Sequence, residues 1–355
     1  MRPVCLSVSP IALPSANSRV SPAAPSSVSP PASILVIKPS SLGDVVHTLP
    51  AVALLKKHWP QSRIRWLINP EWAPLLAANP DIDEVVLFPR SEFRGLKGLK
   101  KIIPWARAIR AAHRSELVLD FQGLLRSALI TRLCRALRGR IIGLSDAREG
   151  ARFFYDQVAD VGDKPHAVDR YLRLAAFLGI DTAGSELQWR LPPGVPPRNP
   201  PKAGYLLLHP FSRGAGKSLS PKEVSEFCRA MAPIRVVVAG RADEPVAAAD
   251  NVINLLNATT LEELIWLIRN AGFVVSVDSG PMHIAAAITA RLVSIHTWSD
   301  PQKVGPYSPG AWVWKAGRLF QQKKPEAART MPDLVQLAVF LKAEAFSGKF
   351  VEHRA

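Results

Sequence analysis

The fold of this chain of 355 residues is decided by residues 33–46, SILVIKPSSLGDVV. The run ILVI is apolar throughout, without the polar–apolar alternation of a half-exposed strand, and this predicts a strand that is buried on both faces. The segment KPSSLGD that follows leads into a predicted helix over residues 44–58. A buried strand that runs directly into a helix is the repeating unit of a parallel α/β sheet.

The same alternation of short apolar strands and helices continues through the chain. In the first half, the pattern predicts further strands at residues 64–68, 84–88, 116–120 and 141–142, and helices at residues 102–113, 124–137 and 168–178. In the second half, it predicts strands at residues 205–208, 234–239, 252–255, 273–277 and 292–295, and helices at residues 221–231, 261–270, 281–289 and 331–346. We therefore expect an α/β protein of two Rossmann-like, doubly wound domains that face a central cleft.

Composition marks the boundaries of these domains. Residues 1–32 are rich in Ser and Pro and poor in aromatic side chains, which predicts a disordered tail that cannot bury a core. Residues 191–201 contain six prolines, typical of a linker between domains. The predicted segments are the tail (residues 1–32), an N-terminal domain (33–190), a linker (191–203), a C-terminal domain (204–330), and a helix with a tail (331–355).

The formal net charge is +16, and most of the positive excess of the N-terminal domain lies in one stretch. Residues 90–114 hold eight basic side chains against Glu92 alone, a local charge of +7. Such a stretch attracts nucleic acid, anionic lipid or an acidic substrate, although a solvated helix face explains the pattern equally well. Apolar residues such as Phe93 and Trp105 interleave with the cations, as in an interfacial segment. No window holds the roughly 18 apolar residues of a membrane span, and three cysteines suit a reducing cytosol.

Asp44 follows the first strand at the predicted start of a helix. The loop lacks the glycines and the Gly-Lys-Ser/Thr ending of a phosphate-binding P-loop, and it is not the GxGxxG of a dinucleotide oxidoreductase. Asp44 suits a helix cap, which needs no further function. It equally suits a general base, because a helix N-terminus keeps a carboxylate ionised near neutral pH.

Three loops of the second half follow predicted strands and suit a phosphorylated ligand. Residues 278–283, DSGPMH, open a helix whose free N–H groups form an anion site. His283 taken alone is better explained as a structural histidine, but its place in this loop favours a role in binding. Residues 209–217, HPFSRGAGK, supply a hydroxyl at Ser212 and a cation at Lys217. Glu244 is placed to hold ribose hydroxyls, or is an exposed acid at a helix start.

Together these stretches resemble the lipopolysaccharide heptosyltransferases of glycosyltransferase family 9. The segment KPSSLGDVVHTLP (residues 38–50) is similar to their N-terminal signature, and VDSGPMH (277–283) to their donor loop. The internal stretches DFQGLLRSA (120–128), DAREG (146–150) and HAVDR (166–170) are most similar to heptosyltransferase I, which adds the first heptose to the Kdo of the lipid A core. The resemblance covers residues 33–345.

The resemblance implies a GT-B fold, an ADP-heptose donor, a Kdo-lipid A acceptor, and inversion at the anomeric carbon without a metal or cofactor. It assigns the role of catalytic base to Asp44. The donor residues that it implies are Ser212, Lys217, Glu244, Asp278, Ser279, Gly280 and His283. The acceptor residues predicted from it and from the basic stretch are Ser41, Arg94, Lys97, Arg126, Arg148 and Arg170. The N-terminal domain would bind the acceptor, and the C-terminal domain the nucleotide sugar.

Two departures from the family pattern leave room for another donor. Lys217-Ser-Leu-Ser-Pro221 lacks the Trp of the usual Lys-x-Trp-Pro, and Thr259 stands where an apolar residue packs on adenine. A sister glycosyltransferase with a different nucleotide sugar or acceptor is therefore the first alternative. A non-catalytic protein that binds nucleic acid or anionic lipid is the second, but no pattern for reading nucleic acid is present. We expect a cytoplasmic enzyme, peripheral on the anionic inner face of the inner membrane, that does not bind nucleic acid.

Overall fold

A computed structural model describes residues 29–345, apart from residues 165, 248 and 323. Four side chains inside helices also lie outside this description, those of Leu96, Lys97, Leu99 and Ala345. The tail predicted over residues 1–32 falls almost wholly outside the described part of the chain.

The N-terminal half forms a parallel sheet of six strands in the order β3-β2-β1-β4-β5-β6. Its strands are β1 (Ser33–Ile37), β2 (Arg63–Ile68), β3 (Glu84–Leu87), β4 (Ser115–Asp120), β5 (Arg135–Leu144) and β6 (Gln157–Ala159). Its helices are α1 (Leu42–His58), α2 (Gly95–Ala112), α3 (Leu125–Cys134) and α4 (Ala167–Phe177), with short 3-10 helices at Pro70–Leu76, Arg90–Phe93 and Ala151–Phe154. Strand β1 lies between β2 and β4, and its four apolar residues are fully buried, as the sequence predicts.

The C-terminal half forms a sheet of eight strands in the order β14-β13-β12-β11-β10-β7-β8-β9. Its strands are β7 (Leu206–His209), β8 (Val236–Gly240), β9 (Val252–Leu256), β10 (Phe273–Val277), β11 (Leu292–His296), β12 (Trp312–Lys315), β13 (Arg318–Gln321) and β14 (Lys324–Thr330). Its helices are α5 (Pro221–Met231), α6 (Leu261–Asn270), α7 (Gly280–Ile288), α8 (Pro301–Val304) and α9 (Leu334–Ala345). Strands β7–β12 are parallel and repeat the order of the first sheet, so both halves are doubly wound.

Three local features differ from the sequence prediction. The helix predicted over residues 124–137 ends at Cys134, and Arg135 begins β5, because pairing with β4 overrides the helical pattern of this segment. Helix α2 begins at Gly95, seven residues before its predicted start at residue 102. Strands β6, β12, β13 and β14 were not predicted, since runs of three or four residues and the largely polar β14 carry little apolar periodicity.

The two halves meet where the first turn of α1 packs against the first turn of α7. A Cβ on Gly43 would lie 2.5 Å from Cδ2 of His283, and a Cβ on Gly280 would lie 2.5 Å from Cδ2 of Leu42. Glycine at both positions therefore permits this close approach of the helices. The largest apolar cluster continues across the contact, from Val45 in α1 to Met282 in α7.

The predicted linker packs against the C-terminal half. The guanidinium of Arg269 in α6 donates hydrogen bonds to the carbonyls of Leu191 and Pro192, at 2.7 and 3.0 Å. Arg190, just before the linker, forms an ion pair with Asp81 of the N-terminal half at 2.8 Å. Among the described helices, we find none that is both long and apolar enough to cross a membrane.

Candidate active site

Asp44 lies in the first turn of α1, beyond the C-terminal end of strand β1. Its Oδ2 accepts hydrogen bonds from the backbone N–H of Ser41 at 3.1 Å and from the Ser41 hydroxyl at 2.7 Å. Its Oδ1 accepts one from the Tyr171 hydroxyl at 3.0 Å. The N-cap of α1 is thus Ser41, not Asp44, and Asp44 completes the capping box from the third helical position. About a third of its side chain remains exposed (35%), so it still faces solvent. Capping and a chemical role are therefore compatible at this position.

The carboxyl of Asp44 is held in its charged form. Burial raises its pKa, but the ammonium of Lys38 and the hydrogen bonds from Ser41 and Tyr171 outweigh burial and bring the pKa below its usual range. Nζ of Lys38 lies 4.0 Å from Oδ1 of Asp44. An ionised carboxylate that is open on one side is the state that a general base requires.

The donor loop predicted at residues 278–283 joins β10 to α7. Ser279 is the N-cap of α7, and Gly280 and Pro281 begin the helix. Pro281 has no N–H, and the N–H of Met282 donates to the Ser279 carbonyl at 3.1 Å, so the positive end of the helix dipole, more than a row of free N–H groups, favours an anion here. The Ser279 hydroxyl is within hydrogen-bond reach of the Ser276 hydroxyl at 3.2 Å and at the limit of reach of Nδ1 of His209 at 3.5 Å. This helix start is suited to an anion.

Lys217 in the predicted phosphate loop (residues 209–217) forms an ion pair with Asp278 in the predicted donor loop. Nζ of Lys217 lies 2.6 Å from Oδ2 of Asp278 and 5.2 Å from the ring centroid of Trp298. Burial raises the pKa of Asp278, but hydrogen bonds from Lys217 and Ser299 and the charge of Lys217 bring it below its usual range. A cation is therefore positioned beside the start of α7, and a diphosphate there would share it with Asp278.

Trp298 and Thr297, in the loop after β11, hold the loop of Lys217. Nε1 of Trp298 donates to the Ala215 carbonyl at 3.1 Å, and the Thr297 hydroxyl donates to the Gly216 carbonyl at 2.6 Å. The indole remains 65% exposed. The loop of Lys217 lacks the Trp of the family pattern. Trp298, from the loop after β11, lies beside Lys217 instead.

Three buried histidines lie where the halves meet. Nε2 of His47 in α1 is 2.9 Å from Nδ1 of His283 in α7, and the ring of His166 lies 5.2 Å from that of His47. Nε2 of His166 is 3.1 Å from the Gly305 carbonyl. Burial lowers the pKa of His283 to about 4, so its imidazole is neutral at pH 7. The structure thus gives His283 a packing role at the contact between the domains.

The other predicted donor residues lie at the C-terminal ends of neighbouring strands. Ser212 follows β7, and its backbone N–H donates to the Ser218 hydroxyl at 2.9 Å, which closes the phosphate loop. Glu244 follows β8 and is exposed. Thr259 follows β9 and is half-buried, just before α6. These positions are on the edge of the sheet where doubly wound domains bind nucleotides.

The predicted acceptor residues divide into two groups. The positive charges of Arg170 and Arg148 both lower the pKa of buried Lys38, the ion-pair partner of Asp44, and Arg170 forms an ion pair with Asp146. Arg126 in α3 instead interacts with Arg90 and Glu149. Arg94 is exposed at the N-cap of α2, and the side chain of Lys97 lies outside the described residues. Ser41, the remaining predicted contact, is exposed and hydrogen-bonded to Asp44.

Comparison with known families decides the class of this site. Residues 105–333 match the model of glycosyltransferase family 9 (heptosyltransferase), which is more than half of the chain. The chain belongs to glycosyltransferase family 9. The resemblance found in the sequence is therefore confirmed, and the protein is a heptosyltransferase enzyme. In the part of this heptosyltransferase that the structure describes, no group of three or more His, Cys, Asp or Glu side chains is placed to hold a metal ion.

Its relatives cover most of the chain. It is 26% identical over 297 residues to lipopolysaccharide heptosyltransferase 1 of Escherichia coli (strain K12), which covers 79% of this chain and 93% of that protein. It is 24% identical over 304 residues to lipopolysaccharide heptosyltransferase 3 of the same organism, covering 80% and 87%. The solved structure of E. coli heptosyltransferase WaaC with ADP is 25% identical, covers 88% of this chain and 98% of that one, and superposes with a TM-score of 0.68. The expected GT-B fold is thereby confirmed.

Three residues of the site were not assigned a role from the sequence. Lys38 and His47 lie within the family signature at residues 38–50. Their place in that signature was the sequence feature that could have indicated a role for them. Tyr171 directly follows Arg170, at the end of a motif quoted for the family. Its contact with Asp44 joins residues 127 positions apart, so only the packing of α4 against α1 reveals it.

Proposed function

We propose that this heptosyltransferase transfers heptose from ADP-heptose to the Kdo of the lipid A inner core, with inversion at the anomeric carbon, in lipopolysaccharide core biosynthesis. One observation carries the proposal: the ionised carboxylate of Asp44 lies at the start of α1, which packs against the start of α7, the predicted diphosphate site. A base and an anion site on different domains thus meet at one contact. In this proposal residues 33–190 bind the acceptor and residues 204–330 the donor, joined by residues 191–203.

The proposed reaction is a single displacement. The acceptor hydroxyl forms a bond to the anomeric carbon of heptose on the face opposite to ADP, while the bond from that carbon to the diphosphate oxygen breaks. Asp44 takes the hydroxyl proton, and ADP leaves with the bonding electron pair. The positive end of the α7 dipole and the ammonium of Lys217 offset the charge that develops on the diphosphate.

An ADP-linked donor is supported by the neighbouring solved structures. The E. coli enzyme WaaC is described with ADP and with ADP-2-deoxy-2-fluoro heptose. In this chain, Glu244 and Thr259 would face the ribose and the adenine, because Glu244 follows β8, which pairs with the strand before the phosphate loop, and Thr259 follows β9, the next strand in the sheet. Ser212 and Ser279 would supply hydroxyls to the diphosphate.

An acidic acceptor fits the charges around Asp44. Kdo carries a carboxylate, and Arg148 and Arg170 are both close enough to act electrostatically on Lys38 behind the base. Arg126 and Arg94 would extend this positive surface toward the phosphates of lipid A, and Lys97 remains a proposed further contact. This positive surface would bind the carboxylate and phosphates of the acceptor and so position the acceptor hydroxyl. Asp44, itself an anion, cannot attract these groups.

Helix α2 would hold the enzyme on the anionic inner face of the inner membrane. Lys100, Arg107 and Arg110 are exposed on it, and the side chain of Ile103 between them is 59% exposed. Each basic side chain near an anionic leaflet contributes about 1 kcal/mol. We expect Lys100→Glu with Arg107→Glu to weaken binding to anionic vesicles at least tenfold in a sedimentation assay. Charge reversal of two exposed linker cations, Arg198 and Lys202, should leave binding unchanged, and equal loss in both pairs would contradict a docking role for α2.

The transfer itself is tested with purified protein, ADP-heptose and Kdo-lipid A, followed by NMR of the anomeric configuration of the product. Asp44→Asn should lower kcat by about 10²- to 10⁴-fold, because it removes the base while keeping the shape of the side chain. Asp83→Asn is the matched control, since Asp83 is also a carboxylate paired with a lysine, Lys56, at 2.9 Å, but at the other end of α1. Near-normal turnover by folded Asp44→Asn, or retention of configuration, would disprove the mechanism.

A second candidate is a family 9 transferase with a different nucleotide sugar or acceptor. It is favoured by the departures at residues 217–221 and at Thr259, and by relatives that include lipopolysaccharide heptosyltransferase 3. Thermal-shift measurements with ADP-, UDP- and GDP-linked sugars separate the two candidates. Stabilisation by ADP-heptose alone supports the first, and an equal response to UDP- or GDP-sugars supports the second.

A further inference from the structure

A buried lysine stands directly behind the proposed base. Lys38 follows strand β1, and only 3% of it is exposed. Its Nζ donates hydrogen bonds to the Tyr171 hydroxyl at 2.8 Å and to the Phe121 carbonyl at 3.1 Å. A buried ammonium is very costly unless an opposite charge and hydrogen-bond acceptors compensate for lost water. Lys38 forms its ion pair with the carboxylate of Asp44, whose Oδ1 lies 4.0 Å from Nζ.

Tyr171 connects this lysine to the carboxylate. It is 3% exposed on α4, and its ring packs edge-on against Phe121 with the ring centroids 5.7 Å apart. A phenol has a single hydrogen to donate, and the Tyr171 hydroxyl donates it to Oδ1 of Asp44 at 3.0 Å. Its oxygen is then free to accept from Lys38. The direction of the chain is therefore fixed, from Lys38 through Tyr171 to Asp44.

The hydrogen bonds of Asp44 are unequally divided between its two oxygens. Oδ2 accepts two hydrogen bonds, both from Ser41, which fills its two lone-pair positions. Oδ1 accepts one, from Tyr171, and so keeps one position open. About a third of the side chain is exposed, so a substrate hydroxyl can approach the carboxylate. Oδ1 is therefore the oxygen suited to receive a proton.

We infer that Lys38 and Tyr171 are positioning residues of the transfer reaction, which hold Asp44 ionised and turn the open lone pair of Oδ1 toward the acceptor hydroxyl. The inference rests on the proposed role of Asp44 as the base. Neither residue touches the substrate in this arrangement. Lys38 acts through its charge, and Tyr171 acts through the direction of one hydrogen bond.

Two opposed effects set the charge state of Asp44, and Lys38 decides the outcome. Burial raises the pKa of the carboxyl, and Lys38 is the largest influence that lowers it. Removing the ammonium leaves burial in place, so the pKa of Asp44 should rise. Other groups act on this pair and stay unaltered in the test: Asp120 at the end of β4, Arg148 after β5, Arg170 in α4 and His283 in α7.

The charge state of Asp44 is measured without any substrate, by ¹³C NMR of the full-length protein labelled at its aspartate carboxyls. The resonance of Asp44 is assigned by its absence in Asp44→Asn. We expect Lys38→Met to move its titration to higher pH by about one pH unit or more, the usual influence of an adjacent cation on an aspartate. Tyr171→Phe keeps the ring and removes one hydrogen bond, and it should move the titration in the same direction by less.

Two control variants make the same chemical changes elsewhere. Lys56→Met removes a lysine that pairs with Asp83 at the other end of α1. Tyr205→Phe removes a buried hydroxyl that donates to the Leu267 carbonyl at 2.7 Å in the C-terminal half. Neither should move the titration of Asp44. Tyr171→Phe carries the test alone should Lys38→Met fail to fold, as judged by thermal unfolding.

The pH profile of kcat/KM gives the second measurement. The acidic limb should move to higher pH in Lys38→Met and Tyr171→Phe, as the NMR titration does, and stay in place in both controls. Slower turnover with an unmoved titration and an unmoved acidic limb would overturn the inference, since it would leave both residues with a structural role only. A distinct result, full activity of Asp44→Asn, would instead remove the proposed base.

Discussion

Substituting alanine for Gly280 would push apart the two helices that join the halves of the site. The added Cβ would lie 2.5 Å from Cδ2, 3.0 Å from Cβ and 3.1 Å from Cγ of Leu42 in α1. Carbon atoms in good contact are about 3.5–4.0 Å apart, so α7 and α1 must separate by about 1 Å. A displacement of this size between reacting groups costs about 10²-fold in rate. We therefore expect Gly280→Ala to lower kcat by about 10²-fold, with overpacking costing roughly 1–3 kcal/mol of stability.

A second substitution in the opposite domain tests this explanation. Leu42→Ala removes Cγ and Cδ2, two of the three Leu42 atoms that the new Cβ at position 280 would approach too closely. The double variant should therefore recover a large part of the lost kcat. Initial rates with ADP-heptose and thermal unfolding of the four proteins complete the double-mutant cycle, whose interaction term should be about 0.5–3 kcal/mol. Strictly additive losses would refute the clash and would assign the effect of Gly280 to the donor loop alone.

Further predictions concern the donor loops and the pH dependence of stability. Lys217→Met should raise the KM for the donor about 10- to 100-fold in initial-rate measurements, because a hydrogen bond to a charged group is lost, and an unchanged KM would argue against contact with the diphosphate. Trp298→Ala should speed amide exchange across residues 213–217, measured by mass spectrometry, because its hydrogen bond to Ala215 is lost; equal protection would contradict a role in holding the loop. Burial lowers the pKa of His209 to about 4, so the unfolded chain binds a proton more readily below pH 6.5. Urea unfolding should therefore show about 2 kcal/mol less stability at pH 5 than at pH 7 from this residue, a difference that His209→Gln should remove.

The fold was accessible from the sequence because its strands are short, apolar and separated by helices. Residues 34–37 and 273–277 predict buried parallel strands, and the structure places both in the interior of their sheets. Ligands of doubly wound sheets bind beyond the strand ends, and the loops at those ends contain Asp44 and Asp278. Local patterns were sufficient to find these loops because the proposed chemistry lies next to the most regular part of each domain.

Contacts between distant segments were not accessible. Tyr171 reaches Asp44 across 127 positions, and His47 reaches His283 across 236 positions. Such pairs depend on how helices pack, and helical periodicity indicates only which face of a helix is buried. The contact of Trp298 with the phosphate loop is of the same kind. Trp298 follows β11, whereas the phosphate loop follows β7, and these strands are two places apart in the sheet.

The starts of α1 and α7 face each other, and this arrangement is electrostatically demanding. Each helix start carries roughly half a positive charge, so bringing two together is unfavourable unless anions lie nearby. Asp44 stands in the first turn of α1, and Asp278 stands just before α7. Each aspartate is in turn paired with a lysine from its own domain, Lys38 or Lys217. Because the lysines offset the aspartates, the field of the two helix starts remains available to a third anion, and the diphosphate of a nucleotide sugar has the charge to satisfy it.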